Sequence, residues 1–141
     1  LQERVAEYGT IMSAAKGIRF TSVIDKKILS LPIPTYIRRD LYLILKEGIT
    51  NAVKYSSAQN INLRITLERD TLGFTLSDDG CGISKKDMKK GNGIDNMHNR
   101  ARKLNTSLLF QSSPNQGTSI SLICRITDWE SKLIKSVSQP I

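Results

Sequence analysis

Two aspartates and two glycines directly follow an alternating apolar run in the segment "LSDDGCGI" at residues 76–83. Aspartate and glycine are ordinary turn formers, so the segment could simply end a hairpin strand. A carboxylate at a strand end can also accept a hydrogen bond from the exocyclic amino group of a purine. In that interpretation Asp78 would accept the bond, and Gly80 and Gly82 would leave space for the flat base.

A second glycine pair, "GNG" at 91–93, lies where a lysine-rich loop meets the start of a predicted helix. Glycines at a helix N-terminus let backbone N–H groups approach phosphate oxygens, and the helix dipole favours the anion. Gly91 and Gly93 therefore suit a phosphate site, although "GNG" alone is more often a turn. The loop would add positive potential there or form only a solvated surface. Its lysines are Lys85, Lys86, Lys89 and Lys90.

Another predicted helix carries Glu47, Asn51 and Lys54 at steps of four and three. This spacing predicts that they share a face that lies away from the apolar side of the helix. Carboxylate and amide oxygens suit Mg²⁺, which binds together with substrate phosphates. A solvated Glu/Lys helix surface explains the same pattern about equally well.

Composition limits the classes of protein. The 141 residues fit one domain, and 39% hydrophobic with 24% charged residues is typical of a soluble globular chain. No apolar run has membrane-spanning length, and the N-terminus lacks the layout of a signal peptide. Cys81 and Cys124 have no metal-binding spacing, which favours a reducing, cytoplasmic setting.

The net charge of +8 indicates an anionic partner. Nucleic acid, a membrane surface and nucleotide phosphates would all fit that charge. The few aromatic residues are scattered rather than interleaved with the basic ones, which argues against nucleic acid.

Hydrophobic periodicity predicts the order helix, strand, helix, two-strand hairpin, helix, two-strand hairpin. Because hairpins form antiparallel pairs, this order predicts an α+β fold, a two-layer α/β sandwich with helices on one face of a mixed, mostly antiparallel sheet. The predicted helices cover about residues 1–17, 35–56 and 94–105, and the predicted strands 18–25, 61–67, 72–76, 107–113 and 118–127. The first helix has an apolar stripe at Leu1, Val5, Tyr8, Met12 and Ala15.

The motifs resemble those of the GHKL ATPase superfamily. "EGITNAVKY" is similar to its N box, "DDGCGI" and "GNGIDNMHNRA" to its two glycine boxes, and "GTSISL" to its last segment. Within the superfamily, the chain most resembles the ATP-binding catalytic domain of sensor histidine kinases of the nitrate/nitrite-sensor and desaturase-thermosensor type. The resemblance covers about residues 18–126 and implies the Bergerat ATP-binding fold.

The resemblance implies a role for each residue at the base end of an ATP site. Asp78 would accept the adenine amino group, and Gly80 and Gly82 would shape the base pocket. Thr118 would support Asp78 or its bridging water, and Ile83 is a further implied nucleotide contact.

At the phosphate end, the resemblance implies that Asn51 coordinates Mg²⁺ and that Glu47 is the catalytic acidic residue. Gly91 and Gly93 would cap the phosphates, and residues 84–90 would form the ATP lid. The remaining implied nucleotide contacts are Lys54, Tyr55 and Ile94.

Two positions depart from the pattern. Many members carry His where this chain has Tyr55. The histidine kinases carry a phosphoacceptor histidine upstream, whereas the single histidine here, His98, falls in the third predicted helix, where a surface or packing role is expected.

The implied function is therefore to bind Mg·ATP and provide the γ-phosphoryl for a histidine on a dimerisation domain outside this chain, which in turn serves a response regulator. Residues 1–17 would be the end of that dimerisation helix or a linker helix, 18–127 the catalytic domain and 128–141 a tail of unknown role. We expect this fragment to be a monomer that does not autophosphorylate, from the cytoplasmic portion of a homodimeric, membrane-anchored sensor.

Alternative functions on the same fold are an anti-sigma-factor-type serine kinase and a stand-alone ATPase. A degenerate domain that binds without catalysis is a third alternative. The presence of Glu47, Asn51 and Asp78 argues against the degenerate domain.

Overall fold

A computed structural model describes residues 1–84, 86, 91–127 and 129. The α-helices are α1 (Gln2–Ala14), α2 (Thr35–Tyr55) and α3 (Gly93–Lys103), with a short 3-10 helix at Lys26–Ser30. The strands are β1 (Arg19–Ile24), β2 (Asn60–Glu68), β3 (Thr71–Asp78), β4 (Leu109–Ser113) and β5 (Gly117–Arg125). The predicted α+β class and the predicted order of helices and strands are confirmed.

The five strands form one mixed sheet in the order β1-β2-β3-β5-β4. β1 runs parallel to β2, and the other three pairs are antiparallel. The antiparallel pairs β2–β3 and β4–β5 are the two predicted hairpins. The sheet is therefore mixed and mostly antiparallel, as predicted.

The sheet has one apolar face and one polar face. Along β2, Ile61, Leu63 and Ile65 are buried, whereas Asn62 and Arg64 between them are exposed. This alternation is expected of a strand with one face on the core and the other in water. The helices cover the apolar face, which confirms the predicted two-layer arrangement.

Helix α2 is the central element of the helical layer. A Cβ added at Gly48 would lie 2.8 Å from side-chain atoms of both Leu76 and Ile120, so the helix axis comes close to β3 and β5 there. Asn51 and Glu47 lie on the same helix, within one turn of that contact. The close approach at Gly48 therefore fixes how far Glu47 and Asn51 lie from the sheet.

Helix α1 packs against α2 and β1. Val5 of the predicted stripe is buried and its Leu1, Tyr8 and Met12 pack partly buried against the core, whereas Ala15 is exposed. Gly9, on the same side, has no side chain and so admits the Phe20 ring of β1. The Tyr8 hydroxyl bonds the Thr50 hydroxyl at 2.7 Å and so ties α1 to α2.

Two features of the chain differ from the sequence expectations. The 3-10 helix was not predicted, and the Asp25 side chain caps it by accepting a hydrogen bond from the Lys27 amide. Trp129 is 4% exposed and belongs to the core, whereas the rest of the predicted tail at 128–141 lies outside the described residues. No helix in the described part of the chain has the length and hydropathy needed to cross a membrane.

Candidate functional site

Asp78 ends β3 on the apolar, helix-covered face of the sheet. It pairs with Ile61 of β2 and continues the buried alternation of Leu72, Phe74 and Leu76. The strand period therefore places a carboxylate where a fourth apolar side chain would be expected. Asp78 is half-buried as a result.

One oxygen of the Asp78 carboxylate is engaged by the protein. Oδ1 accepts hydrogen bonds from the backbone N–H groups of Gly80, at 2.9 Å, and Thr118, at 3.3 Å. Burial raises the pKa of Asp78, and these two backbone hydrogen bonds oppose the rise. Within the described residues no hydrogen bond reaches Oδ2, so this oxygen can accept one from a ligand.

The two glycines after Asp78 are required by backbone packing. A Cβ at Gly80 would lie 2.1 Å from the carbonyl oxygen of Ser56, at the end of α2. Gly82 has a φ of +80°, and its Cβ would lie 2.5 Å from the carbonyl oxygen of Ser113. These glycines bring the strand end against α2 and β4, which the sequence pattern alone did not indicate.

A hydroxyl network joins this turn to the last hairpin. Ser112 and Thr118 are paired across β4 and β5, and their hydroxyl groups bond each other at 2.9 Å. The Ser112 hydroxyl also accepts a hydrogen bond from the Ile83 amide at 2.8 Å. Sequence reasoning missed Ser112, because only the register of β4 against β5 places it beside Thr118.

The neighbouring Asp79 has a different role. Its Oδ1 accepts hydrogen bonds from the amides of Gln59 and Asn60, each at 2.9 Å, and its Oδ2 accepts one from the Asn60 side chain at 2.8 Å. The Asn60 side chain, then the backbone amides, lower the pKa of Asp79. Asp79 therefore links the α2–β2 connection to the end of β3, a more specific task than the turn role that the sequence indicated.

A second cluster of candidate residues lies in a cleft between α2 and α3. The cleft encloses about 180 Å³ and is lined by Glu47 and Thr50 of α2 and by Asn96, Met97 and Arg100 of α3, among others. At its end Glu47 lies against the start of α3, because a Cβ at Gly93 would come within 2.0 Å of Glu47 Oε1. The structure thus brings together Glu47 and Gly93, which the sequence analysis singled out separately.

The polar residues of α2 do not form one exposed face. Glu47 is half-buried, Asn51 is only 8% exposed and Lys54 is exposed. The prediction of one shared face away from the apolar side is therefore wrong for Asn51, because the packing of α2 against the sheet at Gly48 also covers the residue one turn further on. Among the described residues no group forms a hydrogen bond with the Asn51 side chain, and its amide is not one of the fully enclosed polar atoms.

The remaining predicted residues lie around these two clusters. Tyr55 is half-buried, with the Lys54 ammonium 5.2 Å from its ring centroid. Ile83 is buried, and Ile94 packs partly buried against the core. Gly91 is exposed with a φ of +76°.

Most of the predicted lid at 84–90 lies outside the described residues. Only Ser84 and Lys86 of the lid are described. His98 is half-exposed on α3, in the surface setting expected from the sequence. Among the described residues there is no group of three or more His, Cys, Asp or Glu side chains that could hold a metal ion. Any divalent cation here would need oxygen ligands from a substrate as well.

Comparison with known proteins gives a consistent result. The sequence model of the family described as "Histidine kinase-, DNA gyrase B-, and HSP90-like ATPase" matches residues 36–128. The chain is 30% identical over 90 residues to the oxygen sensor histidine kinase NreB of Staphylococcus carnosus, covering 62% of this chain and 26% of that protein. It is 26% identical over 98 residues to the histidine-protein kinase/phosphatase DegS of Brevibacillus brevis, covering 69% and 25%. The chain thus spans about a quarter of these relatives.

Solved structures show the same fold. The histidine kinase domain of the blue-light activated histidine kinase EL346 of Erythrobacter litoralis superposes with a TM-score of 0.75 at 16% identity, over 90% of this chain and 61% of that one. The histidine kinase AdeS of Acinetobacter baumannii superposes with a TM-score of 0.69 at 17% identity, over 88% and 62%.

Proposed function

The chain belongs to the histidine kinase-, DNA gyrase B- and HSP90-like ATPase family, and on that premise we propose that it binds Mg·ATP and supplies the γ-phosphoryl group to a histidine on a dimerisation domain outside this chain. The proposal places the chain in two-component signal transduction, in the cytoplasmic portion of a homodimeric sensor. A response regulator would then take the phosphoryl group from the histidine.

The observation that carries the proposal is the half-buried carboxylate of Asp78. Two backbone N–H groups hold Oδ1, so the side chain is fixed while Oδ2 can accept a hydrogen bond. An adenine amino group is a donor that suits this oxygen, since adenine presents an N–H where guanine and hypoxanthine present a carbonyl. Because the carboxylate is held before the ligand arrives, little ordering cost accompanies binding.

The phosphate end of the proposed site is the cleft between α2 and α3. There the N-terminus of α3 at Gly93 provides a positive dipole end for phosphate oxygens. Glu47 lies against the same glycine, so its carboxylate would stand beside the terminal phosphate and could orient or polarise the attacking imidazole nitrogen. Phosphoryl transfer depends mainly on such positioning and charge stabilisation.

The donor set fits a magnesium ion bound together with substrate. Asn51 offers an amide oxygen that has no partner among the described residues, and Glu47 is one turn away on the same helix. One or two protein oxygens plus phosphate oxygens and waters are the ligands that Mg²⁺ prefers. When bound, the ion would neutralise charge on the phosphates. Asn51 would hold it.

The acceptor histidine is proposed to come from elsewhere. His98 lies on α3, and its carbonyl accepts a hydrogen bond within that helix from Arg102 Nε. His98 lies five residues after Gly93, the first residue of α3, which is more than one helical turn away. The fragment alone is therefore expected to bind nucleotide without phosphorylating itself.

The test is transfer in trans. The fragment is incubated with Mg·ATP labelled at the γ-position and with a separately produced dimerisation segment that carries a histidine. Phosphate that is labile in acid and stable in base on that segment supports the proposal. Acid-stable phosphoserine on a partner protein would instead support a serine kinase, and release of free phosphate alone would support an ATPase.

A matched pair of variants makes the assay specific. Asp78→Asn should abolish transfer through loss of ATP binding. Asp70→Asn changes an exposed carboxylate in the β2–β3 turn, at the other end of the same strand, and should leave transfer unchanged. Equal transfer by both variants would contradict the assignment of Asp78.

A further inference from the structure

We propose that the partly buried ion pair between Asp40 and Arg100 positions the N-terminus of α3 for the triphosphate, so that both are positioning residues for the reaction. The inference rests on the proposed function, since it concerns the phosphate end of that site. Neither residue was singled out from the sequence.

The pair joins the two helices that form the cleft. Arg100 Nη1 lies 3.1 Å from Asp40 Oδ1, and Arg100 also lines the cleft that contains Glu47. The Asp40 side chain is 6% exposed and that of Arg100 is 33% exposed. The carboxylate is therefore nearly enclosed at the α2–α3 contact, on the side of the cleft away from Gly93.

The spacing of the contacts is the same on both helices. Asp40 and Glu47 are seven residues apart on α2, and Gly93 and Arg100 are seven residues apart on α3. Seven residues are two turns, or about 10.5 Å of helix. Since Asp40 meets Arg100 while Glu47 meets Gly93, the helices are antiparallel and are joined at two matched points.

The two contacts differ in how strongly each fixes the position of α3 relative to α2. At Glu47 and Gly93 a side chain lies against a residue with no side chain, which permits sliding or rotation. At the other point a charged hydrogen bond has a defined direction, and a buried carboxylate without its partner is strongly unfavourable. The ion pair is thus the contact that specifies the register of α3 against α2.

The register of α3 against α2 matters because the first amides of α3 are the groups proposed to bind phosphate oxygens. A slide by one residue would move the first amides of α3 by about 1.5 Å relative to Glu47. A misplacement of this size is enough to weaken hydrogen bonds to phosphate oxygens and to slow a positioned reaction. The base end would not be affected, since Asp78, Gly80 and Thr118 are held by their own backbone hydrogen bonds.

Arg102 provides a control on the same helix. Its guanidinium bonds the Asn99 side chain and the His98 carbonyl, both within α3. It carries the same charge two residues away and, among the described residues, forms no ion pair with α2. Its removal should therefore preserve the register.

The experiment compares Mg·ATP with adenosine as ligands, by calorimetric titration of the wild type, Arg100→Gln and Arg102→Gln. Adenosine contacts the base end only, whereas Mg·ATP also needs the start of α3. We expect Arg100→Gln to weaken Mg·ATP binding about tenfold and adenosine binding less than twofold. Arg102→Gln should change neither. Circular dichroism at the titration temperature verifies that each protein is folded.

Because Arg100→Gln leaves a buried carboxylate unpaired, the double variant Asp40→Asn with Arg100→Gln is measured as well. It removes the unpaired charge but also the directional contact, so Mg·ATP binding should stay weak while adenosine binding is retained. Wild-type affinity for Mg·ATP in the folded double variant would overturn the inference, and so would equal losses for both ligands. A wild type that binds neither ligand would instead overturn the proposed function.

Discussion

The strand-end cluster, formed by Asp78, Gly80, Ser112 and Thr118, differs in construction from the cleft between α2 and α3. In the cluster the polar groups bond one another and the backbone, and no other described residue bonds Asp78 Oδ2. On α2, by contrast, the described residues give no hydrogen-bond partner to the side chain of Glu47, which lines the cleft, or to the side chain of Asn51, four residues further on. Within the described part of the chain, the hydrogen bonds of the strand-end cluster fix its shape, whereas the side-chain oxygens of Glu47 and Asn51 are not engaged.

From this difference we expect the strand-end cluster to recognise the base and the cleft to serve phosphoryl transfer. A cluster that is already hydrogen-bonded can select a base with little ordering cost. Available oxygens on a helix can instead respond to phosphates and a cation whose charge changes during transfer. Variants in the cluster should therefore act on base recognition and stability, whereas variants in the cleft should act on phosphate binding and rate.

Asp78→Asn should have the largest effect. We expect ATP affinity to fall at least about 100-fold, which corresponds to about 2.7 kcal/mol, because the accepting oxygen loses its charge. The ligand-free domain should be at least as stable as the wild type. Burial raises the pKa of Asp78, so the charged carboxylate reduces stability as the pH rises through that pKa, and Asn removes this loss. Calorimetric titration and thermal unfolding at pH 7 measure the two effects. A stability loss with retained affinity would contradict the account.

Gly80→Ala should mainly affect the fold. The added methyl group would meet the Ser56 carbonyl at the end of α2, and backbone atoms cannot turn aside as a side chain would. We expect the free energy of unfolding in urea to fall by about 2 kcal/mol. Gly17→Ala is the control: it has a φ of +68° with no atom within 4 Å, so its cost of about 1 kcal/mol comes from backbone strain alone. A smaller loss at Gly80 than at Gly17 would refute the packing argument.

Gly93→Ala should reduce phosphoryl transfer about tenfold, or about 1.4 kcal/mol, without loss of stability. Alanine favours the helix at this position, but its methyl group would displace the Glu47 carboxylate. Single-turnover transfer and urea unfolding separate the two effects. In a Glu47→Gln background the same substitution should have little further effect. Full additivity of the two substitutions would show that they act independently.

Asp79→Asn should have the smallest effect, a loss of about 1 kcal/mol of stability with ATP affinity within about twofold of the wild type. Hydrogen bonds from Asn60 and Gln59 lower the pKa of Asp79. Its contribution is therefore present above the ordinary pKa of aspartate and is lost as the pH falls through the lowered value. Thermal midpoints measured between pH 2 and 7 should converge for variant and wild type at the acidic end. A constant difference would argue against this role.

Most of the fold could be predicted because its signals are local. Period-two alternation in β2 and β3 and the apolar side of α2 each appear within one segment. The 3-10 helix at Lys26–Ser30 was missed because it has a single capping side chain and no periodicity. The strand order could not be predicted either, since pairings such as β3 with β5 depend on contacts distant in sequence.

The candidate site was predictable in part for the same reason. Asp78 and Gly80 stand out as an unusual strand end, and Gly93 as a helix start. Asn51 was expected on an exposed face because helical spacing cannot report how closely α2 approaches the sheet at Gly48. Ser112 and the Asp40–Arg100 pair depend on register between elements, which no single segment contains.

The most direct test of the central claim replaces the base. Inosine triphosphate carries a carbonyl where ATP carries its amino group, and an N1–H where adenine has an acceptor, so it has no donor at the position that would face Asp78. The wild type should bind Mg·ATP at least about 100-fold more tightly than Mg·ITP, and Asp78→Asn should narrow that ratio because its amide can donate to the carbonyl. Equal affinity of the wild type for the two nucleotides would contradict the assignment of Asp78 to the adenine edge.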